Sequence, residues 1–285
     1  MFDLESALAS ALDGEAILFV GAGFSRGATN LRGAQIKTST ELTSHLAHLV
    51  GISTEAGLED VAEEFVGALG LGRLADELRS EFTVQATAAF HSVLAEVPWR
   101  RVYTTNYDNV VESASTSRPI QPVTLSDDLS AVQKPNYLCV HINGYVGRLS
   151  RSALEQEVKL TEGSQLASTF VASPWSVAFR QDLAAARAVF FVGYSLGDLD
   201  IKRVLFESAS LRDKTVFYLG PSPSASTLRR AERFGHALSL GAPELAGTIE
   251  TKKRNLVPVE RHVLVGKALV RMSIPTAGIT ATDAD

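Results

Sequence analysis

Residues 104–108 read Thr-Thr-Asn-Tyr-Asp, placing an uncharged amide, Asn106, two positions before a carboxylate, Asp108. The string directly follows 101–103, a β-branched and aromatic stretch suited to a strand. In an open α/β sheet, ligands bind in the crevice beyond the carboxyl ends of the strands. An amide and a carboxylate at such a tip, with Thr105 beside them, can hold a sugar hydroxyl or a water without supplying a strong acid. That suits chemistry at a ribose. Asp108 has a second reading, as the cap of a helix running to about Ala114, and capping leaves Asn106 free to bind.

Three further strings fall at corresponding places. Gly21-Ala22-Gly23-Phe24-Ser25-Arg26 follows the apolar run 16–20. Small residues let a backbone approach a phosphate, with N–H groups acting alongside the dipole of a following helix. A tight strand-to-helix turn uses the same residues. Gly27 comes four positions after Gly23, so the dinucleotide glycine spacing is not met. The third string is His141-Ile142-Asn143-Gly144. Histidine acts as a base near neutral pH, and a lone histidine on an apolar strand also serves as a structural residue. The fourth is Gly193-Tyr194-Ser195-Leu196-Gly197-Asp198-Leu199-Asp200, whose glycine and serine can contact a second phosphate or ribose. Asp198 and Asp200 read as helix caps, ribose contacts or a metal pair, the last disfavoured because no histidine or further carboxylate stands nearby at useful spacing.

The elements that must position these strings are short apolar runs separated by helical patterns. The runs are 16–20, 101–104, 137–142, 188–192 and 215–219, with another near 237–240 after a polar helical pattern at 224–234. They predict an α/β fold: a Rossmann-like, mostly parallel sheet of about six strands with helices on both faces. The interval 30–98 is far longer than one crossover needs. Leu42, Leu46 and Leu49 share a helical face there, Thr38 and Glu41 resemble a capping box, and further helical patterns fall at 58–69 and 83–94. This predicts an inserted helical subdomain. A shorter insertion is expected at 147–176 and a mobile tail at 273–285, so that 1–272 forms one domain.

The bulk numbers narrow the function. The 285 residues carry a net charge of −5, with 45% hydrophobic and 21% charged residues, ordinary for a globular chain. A sequence-independent nucleic-acid binder shows a basic excess, and direct nucleic-acid binding is not expected here. Cys139 is the only cysteine, which excludes an intrachain disulfide and a cysteine-based zinc module; it reads as a buried, inert thiol. His45 and His48 are three apart but lack an adjacent acidic partner, and no metal is expected. No Gly-x-Ser-x-Gly elbow and no Gly-Lys-Thr phosphate loop occur. The first 13 residues lack the basic-then-apolar order of a signal peptide, and no apolar stretch approaches the roughly 18 residues of a membrane span. A cytoplasmic location is expected.

Together the four strings, in this order and over roughly 15–219, resemble the sirtuin-like domains of bacterial anti-phage NAD hydrolases, a zinc-free branch of the sirtuin-like family. The resemblance implies NAD as substrate, its phosphates held by the 21–26 loop and its nicotinamide ribose near Asn106. Asn106, His141 and Asp108 are the implied catalytic residues. Gly21, Ala22, Gly23, Phe24, Ser25, Arg26, Thr105, Asn143, Gly193, Tyr194, Ser195 and Asp198 are the implied binding residues. It further implies release of nicotinamide with ADP-ribose or a cyclic form, and abortive infection as the setting. Protein-deacylating sirtuins follow the glycine loop with Pro-Asp-Phe-Arg and carry four zinc-binding cysteines. Here 29–33 read Thr-Asn-Leu-Arg-Gly and one cysteine is present, which disfavours deacylation. The family histidine directly precedes glycine, whereas Asn143 precedes Gly144 here. His141, two residues earlier, shares the face of Asn143.

NAD hydrolysis is therefore the leading expectation. A catalytically silent module that senses NAD or ADP-ribose is the alternative, and a dehydrogenase is weakened by the missing glycine spacing. Related effectors carry a sensing domain after the sirtuin-like one, and the residues after 240 are too few for one. Control is expected from homo-oligomerisation, a regulatory partner protein, or a sensor domain on a longer chain.

Overall fold

The computed structural model describes residues 2–53, 55–129, 137–150, 153–154, 158, 160, 170–207 and 209–255. Among them the strands are β1 (Ala16–Val20), β2 (Thr29–Asn30), β3 (Val84–Ala86), β4 (Arg101–Thr104), β5 (Gln121–Thr124), β6 (Leu138–His141), β7 (Ala188–Val192), β8 (Thr215–Tyr218) and β9 (His236–Leu238). The helices are α1 (Leu4–Leu12), α2 (Ser39–Val50), α3 (Leu58–Leu69), α4 (Leu71–Phe82), α5 (Ala89–Ala95), α6 (Val110–Ala114), α7 (Pro174–Ala185), α8 (Leu199–Phe206), α9 (Ala225–Ala231) and α10 (Ala242–Asn255).

Seven strands form one sheet in the order β5-β6-β4-β1-β7-β8-β9, with every neighbouring pair parallel. This is the Rossmann-like α/β architecture that the apolar runs predict. The strands β1 and β7 are buried at every position, as parallel strands covered on both faces must be. Alternation divides their side chains. Ala16, Leu18 and Val20 join Val102, Cys139, Phe190 and Val192 in one core. Ile17 and Phe19 join Tyr103, Val140, Phe191 and the α7 residues Trp175 and Phe179 in the other.

The chain builds outward from β1 on one side through β4, β5 and β6, then crosses to β7, β8 and β9 on the other. The topological switch therefore lies between β1 and β7. Registers pair Val20 with Thr104 and with Val192, and Thr104 with His141. The carboxyl ends of β6, β4, β1 and β7 thus stand side by side, and all four chemistry-bearing strings emerge there.

The sheet exceeds the expected six strands by the edge strand β5. Its sequence, Gln-Pro-Val-Thr, carries Pro122, which cannot donate to a ladder and belongs at an edge; that proline hides the strand from pattern reading. Between β1 and β4 lie α2 to α5 and an antiparallel ribbon of β2 with β3. The pattern at 83–94 begins as β3 and becomes helix only at Ala89. Thr38 and Glu41 do form a capping box on α2. Leu42 and Leu46 are buried on that helix, but Leu49 is partly exposed.

An ionic cluster ties α4 to the segment after β1. Glu77 and Glu81, both buried, meet Arg32 at 2.6 and 2.8 Å, Arg73 at 2.6 Å and Lys37 at 2.9 Å. His45 contacts Glu77 at 3.1 Å, so it has the acidic neighbour that its local sequence lacks. Buried carboxylates require such pairing. Half of 147–176 and all of 273–285 lie outside the described residues. No described helix is long and apolar enough to cross a membrane.

Candidate functional site

The string after β1 does not enter a helix. Residues 22–27 are consecutive turns leading to β2, so no helix dipole backs this loop. Its glycines serve another purpose. A Cβ on Gly21 would stand 2.7 Å from both the Gly193 carbonyl oxygen and Tyr194 Cα, and one on Gly23 would stand 2.8 Å from Gly193 Cα. Gly193 itself has φ +64°, a left-handed conformation that glycine adopts without penalty. The β1 and β7 tips are packed backbone on backbone across the switch point. The Gly21 N–H donates to Val192 O (3.0 Å), that of Gly23 to Gly193 O (2.9 Å) and that of Phe24 to Gly21 O (2.9 Å). Among the described residues, the N–H groups of Ala22, Ser25 and Arg26 make no backbone hydrogen bond, and Ala22 and Arg26 are exposed. The N–H groups of the exposed Ala22 and Arg26, rather than the glycines', are the ones placed to meet an anion.

Phe24 is a core residue. Its carbonyl accepts a 2.7 Å hydrogen bond from His91 Nε2, while His91 Nδ1 accepts from Ala88 N (3.0 Å). One nitrogen must donate and the other accept, so His91 is neutral, and burial holds its pKa below the ordinary value.

Asn106 is clamped on every side but one. Its N–H donates to Thr104 Oγ1 (2.9 Å), and its Nδ2 donates to Gly21 O and Ser25 Oγ (3.0 Å each). Its backbone carbonyl accepts from His141 Nδ1 (3.0 Å). Among the described residues, Asn106 Oδ1 has no protein partner. Ser25 passes the network on: its Oγ donates to Asp108 Oδ2 (2.7 Å). The other Asp108 oxygen accepts from Val110 N (3.1 Å) at the start of α6. Asp108 stands one residue before Asn109, the N-cap of α6; it holds the first N–H of that helix and anchors the loop after β1, and burial raises its pKa despite the Ser25 hydrogen bond.

His141 ends β6 and is 1% exposed. Besides the bond to Asn106 O, its Nε2 lies 2.9 Å from Glu112 Oε1 on α6, and its ring packs against Tyr145 at 4.5 Å. Burial lowers its pKa, but the Glu112 carboxylate and the hydrogen bonds outweigh this and leave it raised. Both ring nitrogens are engaged within the protein, so neither faces a ligand. Asn143 has one arm tied, Nδ2 donating to Thr105 O (3.3 Å), while its buried Oδ1 has no partner among the described residues.

The β7 tip contributes Tyr194, 5% exposed, whose buried hydroxyl lies by the Asp198 backbone and has a pKa driven far up by burial. Ser195 is exposed. Asp198 accepts from Asp200 N (3.0 Å) and Ile201 N (3.4 Å) and so caps α8, the first of its three readings. Leu196 is buried yet has φ +58°, a strained backbone for a leucine. Two cavities, of about 450 Å³ beside Phe2 and Lys214 and about 830 Å³ beside Glu5 and Lys252, involve none of these tips.

Glu112, central to the arrangement, was missed in sequence. It lies on α6, and only the tertiary contact of that helix with the end of β6 brings it to His141. Cys139, Glu112 and His141 bring ligand atoms within 4.8 Å of one another, as do His45, Glu77 and Glu81. The first group is joined by the His141–Glu112 bond and the second has arginine and lysine partners. The Cys139 thiol is fully buried and pushed up by burial and by Glu112.

A parallel Rossmann-like sheet with an Asn-centred tip network at its switch point agrees with the family comparison, in which residues 100–239, just under half of the chain, are similar to the SIR2-like domain. Among curated proteins it is similar to "NAD(+) hydrolase ThsA" of Cytobacillus dafuensis, with 27% identity over 198 residues, 67% of this chain and 37% of that protein. The chain thus spans little more than a third of that relative's length. A solved chain described as "Structural Basis for the Mechanism and Regulation of Sir2 Enzymes" aligns with 89% of this chain and 100% of its own at 13% identity and a TM-score of 0.49.

Proposed function

We propose that this chain is an NAD glycohydrolase that cleaves the bond between nicotinamide and ribose. The observation that carries the reading is Asn106. Its backbone and amide nitrogen are fixed by four hydrogen bonds, and only Oδ1 remains to accept from a ribose hydroxyl or the attacking water. A positioned acceptor contributes orientation, which suffices because the nicotinamide leaves from a cationic ring as a neutral molecule. The C1′–N bond breaks, a water oxygen bonds to C1′, and the water's proton goes to solvent, giving nicotinamide and ADP-ribose; attack by an adenine nitrogen instead gives a cyclic form. The similarity to a protein named as an NAD(+) hydrolase supports the same reading.

In this reading the N–H groups of Ala22 and Arg26 face the diphosphate, with the Arg26 side chain beside them. Thr105, Asn143 Oδ1, Tyr194 and Ser195 line the ribose and nicotinamide side. Gly21, Gly23, Phe24, Gly193 and Asp198 shape that side, and Asp108 fixes the loops. No metal takes part. The setting follows the resemblance: a cytoplasmic effector of anti-phage defence that depletes NAD, one domain over 1–272 with its helical insertion at 30–98, controlled by self-assembly, a partner protein or a sensor domain. Asn106→Ala should abolish nicotinamide release in a protein that stays folded under assay conditions, its unfolding midpoint lowered by loss of the bonds to Gly21 O and Ser25 Oγ; full turnover in that variant would refute the assignment.

The engaged nitrogens of His141 favour a second reading, a module that binds NAD or ADP-ribose without cleaving it. Calorimetric NAD binding with no nicotinamide released over hours would select it.

A further inference from the structure

We infer that His141 and Glu112 form an imidazolium–carboxylate pair that positions Asn106 from behind, and that His141 is not the base of the reaction. The inference rests on the reading of Asn106 given above. His141 Nδ1 faces the carbonyl oxygen of Asn106. A carbonyl only accepts, so Nδ1 carries a hydrogen. Nε2 faces a carboxylate oxygen at 2.9 Å. With Nδ1 already protonated, a bare Nε2 would set its lone pair against the carboxylate; a proton there turns the repulsion into a charge-assisted hydrogen bond. The other titratable groups facing the ring are Asp108, Cys139 and Tyr145. Asp108 adds negative charge that favours the cation, and the thiol and phenol are driven up by burial and stay neutral.

The consequence falls on Asn106. An imidazolium donates a stronger hydrogen bond than a neutral ring, and this one ends on the carbonyl of the residue whose amide is aimed at the ligand. The pair joins β6 and α6 to the peptide between them and fixes the direction of Oδ1. His141 is then a positioning residue, and so is Glu112.

The pH profile distinguishes this from a base. A base must be deprotonated to work, so kcat would rise with pH through the titration of His141. A positioning cation must stay protonated, so kcat should fall as pH rises through the same titration. Glu112→Gln keeps a partner for Nε2 but removes the charge. It should lower kcat roughly five- to tenfold with KM changed less, the size of one charge-assisted bond weakened to a neutral one. The alkaline fall in kcat should move to lower pH, and Glu112→Asp should restore part of the rate.

Nitrogen-15 NMR of histidine-labelled protein reads the pair without any turnover. Wild type should show His141 with both nitrogens protonated at neutral pH, and Glu112→Gln should show a single proton on Nδ1. A wild-type His141 with one proton at neutral pH, a kcat that rises through its titration, or stoichiometric zinc that is lost in Cys139→Ala would overturn the inference. If the NMR shows the doubly protonated ring but no nicotinamide is ever released, the pair stands and the hydrolase reading falls. If NAD is cleaved but the ring carries one proton, the reverse holds.

Discussion

Replacing Gly193 by alanine tests whether the switch point is held by backbone packed on backbone. A Cβ at Gly193 would press on the Phe24 nitrogen and the Gly23 carbonyl carbon and stand 2.7 Å from Gly23 Cα, where carbon–carbon contact is comfortable only at about 3.5–4 Å. None of these atoms ends a flexible side chain, so the loop after β1 must shift as a whole. The left-handed φ of +64° adds about 1 kcal/mol for any residue with a Cβ. Overpacking at a site that cannot relax adds about 1–3 kcal/mol, and displacing the loop strains the Gly23-to-Gly193 hydrogen bond, worth about 1 kcal/mol. The expected loss is therefore about 3–5 kcal/mol, read as a lower urea midpoint at unchanged slope. Gly197→Ala, in the same loop, is the control. Its nearest neighbour would be Ser195 Oγ at 3.8 Å, and its effect should stay within about 0.5 kcal/mol. A Gly193→Ala protein within 1 kcal/mol of wild type would refute the packing argument.

Two further outcomes follow from the same network. Ser25→Ala removes the donor to Asp108 Oδ2 and the acceptor for Asn106 Nδ2, leaving a buried carboxylate short of a partner; a loss of about 2–3 kcal/mol in urea unfolding is expected, and one below 0.5 kcal/mol would contradict the linkage. His91 is held neutral, with its pKa depressed below the ordinary 6.5, so below that pH the unfolded chain takes up a proton that the folded chain refuses. Its contribution is complete above 6.5 and declines as pH falls through the window beneath it; in His91→Gln the stability–pH curve should be flatter there, and an unchanged slope would contradict the assignment.

Much of the fold is legible because parallel strands buried on both faces leave unmistakable apolar runs, and Ala16–Val20 and Ala188–Val192 are such runs. What stayed hidden has local causes. Pro122 disguises an edge strand. Leu49 keeps the helical period of Leu42 and Leu46 but falls where no element covers it. The helix expected after Arg26 is a series of turns, because the chain turns instead into a ribbon whose other strand, β3, lies 54 or more residues away.

The site divides in the same way. Its residue types are visible at strand tips, but their partners are set by tertiary contact. Glycines suited to phosphate approach are spent on the neighbouring tip, and Ser25 turns toward Asp108. His141 meets Glu112, 29 positions away, which no local pattern shows. His45 likewise finds Glu77 on another helix.

The central claim is that a clamped Asn106 presents its amide oxygen to NAD. The most direct measurement is chromatographic quantification of nicotinamide and ADP-ribose after incubating NAD with wild type and with Asn106→Ala that circular dichroism shows to be folded at the assay temperature. The account predicts stoichiometric nicotinamide from wild type and none above the uncatalysed background from the variant. Equal release from both proteins, or none from wild type that binds NAD, would contradict it.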